Sequence, residues 1–164
     1  MHRSEKIGLC ADNLLSIKTM DENQKFRAVM PIQLRFSDFD RFGHVNNAVY
    51  FSYSDSAKCE YIYHVIPNLK IDKTGVVVVN LKATFQHEIH REEAVVVETA
   101  VTRIGRKSFT MIQRVLNPEK QEVKCICESV LVFFDLENRE TLVIKPEWIE
   151  AMNEFEGREL RDVR

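Results

Sequence analysis

"SDFDRFGHVNNAVYFSYSDSAKCEYIYHV", residues 37–65, holds two aspartates, a Gly-His-Val-Asn-Asn turn and then all four tyrosines of the chain, Tyr50, Tyr53, Tyr61 and Tyr63. Neither Gly nor Pro occurs from Ala48 to Val65, and as a helix this run spans roughly 27 Å, at about 1.5 Å per residue. Its apolar and aromatic positions follow two lines, one through Ala48, Phe51 and Ile62, the other through Tyr50, Tyr53, Ala57, Tyr61 and Val65. So wide an apolar arc predicts a helix covered from several sides. Pro67 and the turn residues of "IPNLKIDKTG" (66–75) stop it.

What could cover it is written on either side. In "FRAVMPIQLRFSD" (26–38), Ile32, Leu34 and Phe36 alternate with Gln33, Arg35 and Ser37, the period of a half-buried strand, with Pro31 at an edge or bulge. In "GVVVVNLKATFQHEI" (75–89) the odd positions Val77, Val79, Leu81, Ala83, Phe85 and Ile89 are apolar, and Asn80, Lys82, Thr84, Gln86 and Glu88 take the other face. "AVVVETAVTRI" (94–104), "SFTMIQRVL" (108–116) and "EVKCICESVLVFFDL" (122–136) follow, separated by "HREE", "GRK" and "NPEKQ", connections short enough for antiparallel neighbours. "KPEWIEAMNEF" (145–155) closes as a short helix with Pro146 in its first turn. A strand, a long helix and four strands joined mostly by tight turns predict an α+β fold, an antiparallel sheet wrapped around one central helix.

Composition bounds the partners. The 164 residues, 45% hydrophobic and 29% charged, suit one domain with a sizeable core, here residues 25–164, after an N-terminal appendage over 1–24 whose Leu14, Leu15 and Ile17 suggest at most a short helix. A formal charge of −2 argues against nucleic acid. No apolar stretch has the length of a secretory core or a membrane span, which predicts a cytoplasmic chain without membrane contact. Cys10, Cys59, Cys125 and Cys127 form no pair of CxxC motifs and read as thiols rather than bridges.

The stretch "DFDRFGHVNNAVYFSYSDSAK" (38–58) resembles the signature of the hotdog-fold acyl-CoA thioesterases, in the branch of 4-hydroxybenzoyl-CoA thioesterase. The likeness continues through "VVNLKATFQHEIHREEAVVVETAVTRIGRKSFTMIQRV" (78–115) and "ESVLVFFDLENRETLVIKPEWIEAMNEF" (128–155). It implies a hotdog fold and hydrolysis of an acyl-CoA to a carboxylic acid and coenzyme A, without cofactor or metal, in a homodimer or a homotetramer. It places the catalytic carboxylate on Asp40 and the carbonyl-polarising backbone amide on Asn47; His44, in the turn between them, suits either a catalytic proton carrier or a side chain that fixes the backbone by hydrogen bonding. Substrate contacts would come from Gly43, Val45, Asn46, Tyr50, Arg106, Lys107 and Ser108, the basic hairpin approaching the phosphates of coenzyme A. In another hotdog lineage a helix carboxylate is catalytic, which makes Asp55 the reserve candidate.

Chemistry supports the same residues independently. Thioester hydrolysis needs an activated water or a carboxylate nucleophile, together with donors for the oxygen that gains charge. Asp40 precedes the helix, and the first backbone N–H groups, around residues 46–48, carry partial positive charge. Other readings stay open. Asp38 and Asp40 could be a metal-binding pair with His44, although Phe42 stands where a magnesium phosphatase loop has Thr, and Asp38 alone suits a turn or cap. One of Asn46 and Asn47 should cap the helix whatever the function, and a solvated, ion-paired Asp55 competes with its catalytic reading. His87 and His90 fall on opposite faces of a strand and cannot share a metal unless the strand ends between them. A hotdog dehydratase or hydratase, and a non-catalytic acyl-CoA or acyl-carrier-protein binding module, are the rival functions.

Overall fold

A computed structural model describes residues 24–70 and 73–161. Almost all of the N-terminal appendage, with its Leu14–Ile17 cluster and Cys10, lies outside them. The elements run β1 (Ala28–Ile32), a 3-10 turn (Phe36–Asp38), the long helix α1 (Asn47–Val65), a second 3-10 turn (Pro67–Lys70), β2 (Thr74–Phe85), β3 (Val95–Ile104), β4 (Ser108–Asn117), β5 (Glu122–Asp135), the short β6 (Glu140–Thr141) and α2 (Pro146–Glu156). The strands form one antiparallel sheet in the order β1-β3-β4-β5-β2, with β6 on β5. Among the described residues no helix is long and apolar enough to cross a membrane.

Register explains the concave face. Val97 pairs with Val115, Thr99 with Gln113 and Val101 with Met111, and on the next strand Val115 meets Cys125 and Phe109 meets Leu131. All of these are buried, and α1 lies against them with Tyr50, Tyr53, Ser54, Ala57, Tyr61 and Ile62 buried. A polar seam crosses this contact: Gln113 Nε2 donates to the Ser54 carbonyl (2.8 Å) and to Thr99 Oγ1 (3.2 Å). Each buried polar group in the seam thereby keeps a partner, as burial requires. Bulges at Val78–Asn80 in β2 and Val101–Arg103 in β3, and one between β4 and β5, bend the strands and curl the sheet.

Beyond the first half of α1 a second cluster, Trp148, Ile149 and Met152 of α2 with Phe109, Phe133, Leu131 and Tyr61, fills the other end. Glu156 ties three elements there, its Oε1 accepting the Val101 N–H and the Tyr61 hydroxyl, both at 2.8 Å. Burial, against those two hydrogen bonds, holds the Glu156 carboxyl above its ordinary range.

Three local expectations are corrected. The first strand ends at Ile32, and Phe36 sits in the following 3-10 turn, 82% exposed, with the Arg91 guanidinium 4.9 Å from its ring. The strict alternation of β2 fails because Val79 is the extra residue of a bulge. Val76 and Val78 pair with the core residues Phe133 and Leu131, so the side in register with the core changes from even positions to Ala83 and Phe85, which pack against it. Finally, β2 stops at Phe85, so Ile89, fully buried, reaches the core from a loop.

Candidate active site

The loop before α1 is built by its own short hydrogen bonds. Asp40 N–H donates to the His44 carbonyl (2.9 Å), Gly43 N–H to the Asp40 carbonyl (3.1 Å), and Phe42 N–H to Asp40 Oδ1 (2.8 Å). Gly43 closes this turn at φ +83°, a conformation that costs a side-chain-bearing residue energy. Val45, buried, donates its N–H to the Ile89 carbonyl at 3.0 Å and so fastens the turn to the loop after β2. Asn46 caps the helix: its side chain accepts the Ala48 N–H (2.9 Å) and its carbonyl accepts the Val49 N–H (2.9 Å). Asn47 is then the first helical residue, with no intrahelical acceptor for its N–H.

These pieces enclose a cleft of about 230 Å³ lined by Asp40, His44, Val45, Asn47, Tyr50, Phe85, Gln86, His87 and Glu88. The proposed carboxylate, histidine and helix start thus share one wall, with Tyr50 beneath. Tyr50 stands edge-on to Phe85, ring centroids 5.3 Å apart, and burial pushes its hydroxyl up to about 12, so it stays a neutral donor across the physiological range. The sequence reading missed Glu88. Its Oε2 lies 3.3 Å from His44 Nδ1, and its Oε1 lies 3.3 Å from His90 Nε2. Alternation in the sequence puts Glu88 on the polar face of a strand; the dense polar run "QHEIHREE" is the available sign that the strand has already ended.

What holds Glu88 in place is a buried lysine. Lys124 occupies the bulge between β4 and β5; its Nζ donates to the Glu88 carbonyl (2.9 Å) and meets Glu93 Oε2 (2.8 Å) and Glu122 Oε1 (2.5 Å). Burial alone would raise the Glu93 carboxyl. Hydrogen bonds from Asn117, Lys124 and the His90 N–H outweigh it and hold Glu93 at about 2. Desolvation opposes the charge on Lys124, but its two carboxylate partners keep it above the ordinary lysine range.

The remaining predicted residues lie elsewhere. Asp38 is buried and accepts the Arg35 N–H (2.8 Å) and the Tyr53 hydroxyl (2.7 Å); burial and that bond push the Tyr53 hydroxyl up. It lines a separate cleft between β1 and α1, so Asp38 and Asp40 do not converge as a chelating pair. Asp55 is on the exposed side of α1, paired with Lys58. Arg106, Lys107 and Ser108 form the β3–β4 hairpin, whose flanks Ile104 and Phe109 pack in the α2 cluster, whereas Val45 and Tyr50 belong to the other core cluster. The hairpin and the Asp40 cleft of the chain therefore occupy opposite ends of the sheet.

Residues 34–152 match the family described as the thioesterase-like superfamily. The fold is that of a thioesterase from Thermus thermophilus solved in complex with coenzyme A and Zn, at TM-score 0.72 and 27% identity, covering 81% of this chain and 96% of that one. It is also that of the DHNA-CoA thioesterase from Staphylococcus aureus (TM-score 0.69, 19% identity, 82% and 97% covered). The 1,4-dihydroxy-2-naphthoyl-CoA thioesterase Slr0204 from Synechocystis is similar in fold as well (TM-score 0.66, 15% identity, 76% and 93% covered). No curated protein matches the chain. With a family match over most of its length, and a curled antiparallel sheet holding a long helix as those structures do, the chain belongs to the thioesterase-like superfamily and is a thioesterase of the hotdog fold.

Proposed function

We propose that this enzyme hydrolyses acyl-CoA thioesters to a free carboxylic acid and coenzyme A, with Asp40 as the reacting carboxylate. The observation that carries the reading is the convergence of Asp40, His44, Asn47 and Glu88 on one cleft at the start of α1. The thioester carbonyl sits over the helix N-terminus, where the Asn47 N–H and the partial positive charge of the helix stabilise the oxyanion. Asp40 either attacks the carbonyl carbon, forming an anhydride that water then cleaves, or takes a proton from a water whose oxygen attacks. In both routes the C–S bond breaks and the thiolate leaves. His44, its imidazole held by Glu88, supplies a proton to that sulfur and regains one from solvent. The scheme draws on no cofactor.

We assign the coenzyme A site to a homodimer formed along β2, with each site shared between two chains. This strand is a sheet edge and exposes Val77, Val78, Val79 and Leu81, apolar surface of the kind that marks an interface. Pairing about a two-fold axis sets two copies of β2 antiparallel, which brings the Phe85 end of one beside the Thr74 end of the other. The cleft of one protomer then faces the hairpin end of its neighbour, so that Arg106 of the partner subunit and Lys107 of the partner subunit reach the phosphates, with Ser108 of the partner subunit near the pantetheine. A tetramer would be two such dimers. We place the enzyme in the cytoplasm, where Cys59, Cys125 and Cys127, all free thiols among the described residues, would stay reduced.

A panel of saturated acyl-CoA substrates, aliphatic and aromatic, followed by free-thiol release tests the proposal. Turnover of at least one is expected. Thiol never released, with water added to enoyl-CoA, would instead fit a hydratase; thermal stabilisation by acyl-CoA without any product would fit a binding module.

A further inference from the structure

Of the five histidines, His44 and His87 line the Asp40 cleft, and His90 lies beside it, sharing the Glu88 carboxylate with His44. We propose that His44, Glu88 and His90 form a binding site for a divalent transition-metal ion, of the zinc type, and that the ion inhibits hydrolysis.

The geometry fits. One ligand atom from each residue lies within 4.8 Å of the other two. The contacts from Glu88 to His44 Nδ1 and to His90 Nε2 are each 3.3 Å. A tetrahedral ion bound at about 2.0–2.2 Å holds its ligand atoms roughly 3.3–3.6 Å apart, so the separation between the coordinating Glu88 oxygen and one of the imidazoles needs no change. The other two, already within 4.8 Å, close by small rotations of the Glu88 carboxylate and of the exposed His90 ring, which stands edge-on to the His44 ring at a centroid distance of 5.0 Å. Two imidazoles and one carboxylate make a set with an open fourth position, and imidazole donors favour zinc, copper or nickel over magnesium or calcium.

The ligands are also pre-positioned. The Glu88 carbonyl is fixed by Lys124, the His90 N–H by Glu93 (3.1 Å), and the Ile89 carbonyl between them by Val45, next to His44 in sequence. The backbone carrying all three ligands is therefore stapled before any ion arrives, which lowers the ordering cost of binding. His87 is not part of the cluster, and its Nδ1 lies 4.0 Å from Glu122. The inhibitory effect rests on the function proposed above: a bound ion takes the lone pairs by which Glu88 holds His44 and His44 carries its proton.

Calorimetric titration of the full chain with Zn2+ should give one equivalent per chain. His90→Gln should weaken binding at least tenfold while keeping melting temperature and metal-free hydrolysis, and His87→Gln should bind as the wild type does. Zn2+ should suppress wild-type thiol release at concentrations that leave His90→Gln active. Absence of binding, or binding equally strong in His90→Gln, overturns the site whatever the activity. Binding that depends on His90 without inhibition upholds the site and counts against His44 in the chemistry.

Discussion

Glu93→Gln isolates the device that holds the loop of Glu88. The wild-type carboxyl is held at about 2 instead of its ordinary 4.5, and its side chain is only 8% exposed, so solvent screens little of that preference. A difference of roughly 2.5 units corresponds to about 3 kcal/mol, at about 1.4 kcal/mol per unit. The sign follows from linkage: a depressed carboxyl stabilises the fold above its unfolded value, and that stabilisation disappears as pH falls from about 4.5 towards 2. Wild-type protein should therefore lose about 3 kcal/mol over that interval from this group. Glu93→Gln should lack that loss and start lower at neutral pH by about 2–4 kcal/mol, because Lys124 is left buried with one carboxylate fewer. Urea unfolding followed by circular dichroism at several pH values measures both effects. With a slope of about 2 kcal/mol per molar urea, the neutral-pH midpoint should drop by roughly 1–2 M. An unchanged midpoint and an unchanged acid profile in Glu93→Gln would refute the reasoning.

Other substitutions probe the remaining elements. Val79→Lys puts a charge at the exposed bulge of the β2 edge; it should raise the dissociation constant of the proposed dimer by about 100-fold or more, read by light scattering after size exclusion, with parallel loss of thiol release. Glu88→Gln keeps the shape but removes the charge facing His44, and should lower kcat by about tenfold or more, since the imidazole loses its partner. Cys125→Ser should keep kcat/KM within about twofold and lose about 1–2 kcal/mol of stability, because the thiol is buried in the core and has no part in the chemistry.

Much of this was legible in the sequence because the signals were local. The absence of Gly and Pro from Ala48 to Val65 marks α1, and Pro146 marks α2 at its N-terminus. The three strands from Val95 to Asp135 announce themselves by β-branched runs between short polar turns. The two aspartates, two positions apart, part in the fold: Asp38 accepts from Arg35 and Tyr53, and Asp40 lines the cleft. Hidden features were those set by tertiary pairing. A bulge at Val79 moves the core-facing parity of β2, and no periodicity in "VVVV" reveals where the extra residue falls. Glu88 meets His44 through tertiary contacts: Lys124, 36 residues further on, grips its carbonyl, and Val45 holds the carbonyl of Ile89. The basic hairpin of Arg106 and Lys107 belongs to the opposite end of its own sheet, a separation that sequence proximity to a family pattern does not express.

The most direct measurement is thiol release by Asp40→Asn, an isosteric change that keeps an acceptor for the Phe42 N–H and removes only the charge and basicity of the carboxylate. If this carboxylate performs the reaction at the start of α1, kcat/KM should fall by about 100-fold or more while the circular dichroism spectrum and melting temperature stay at wild-type values. Wild-type turnover from a correctly folded Asp40→Asn protein would contradict the account.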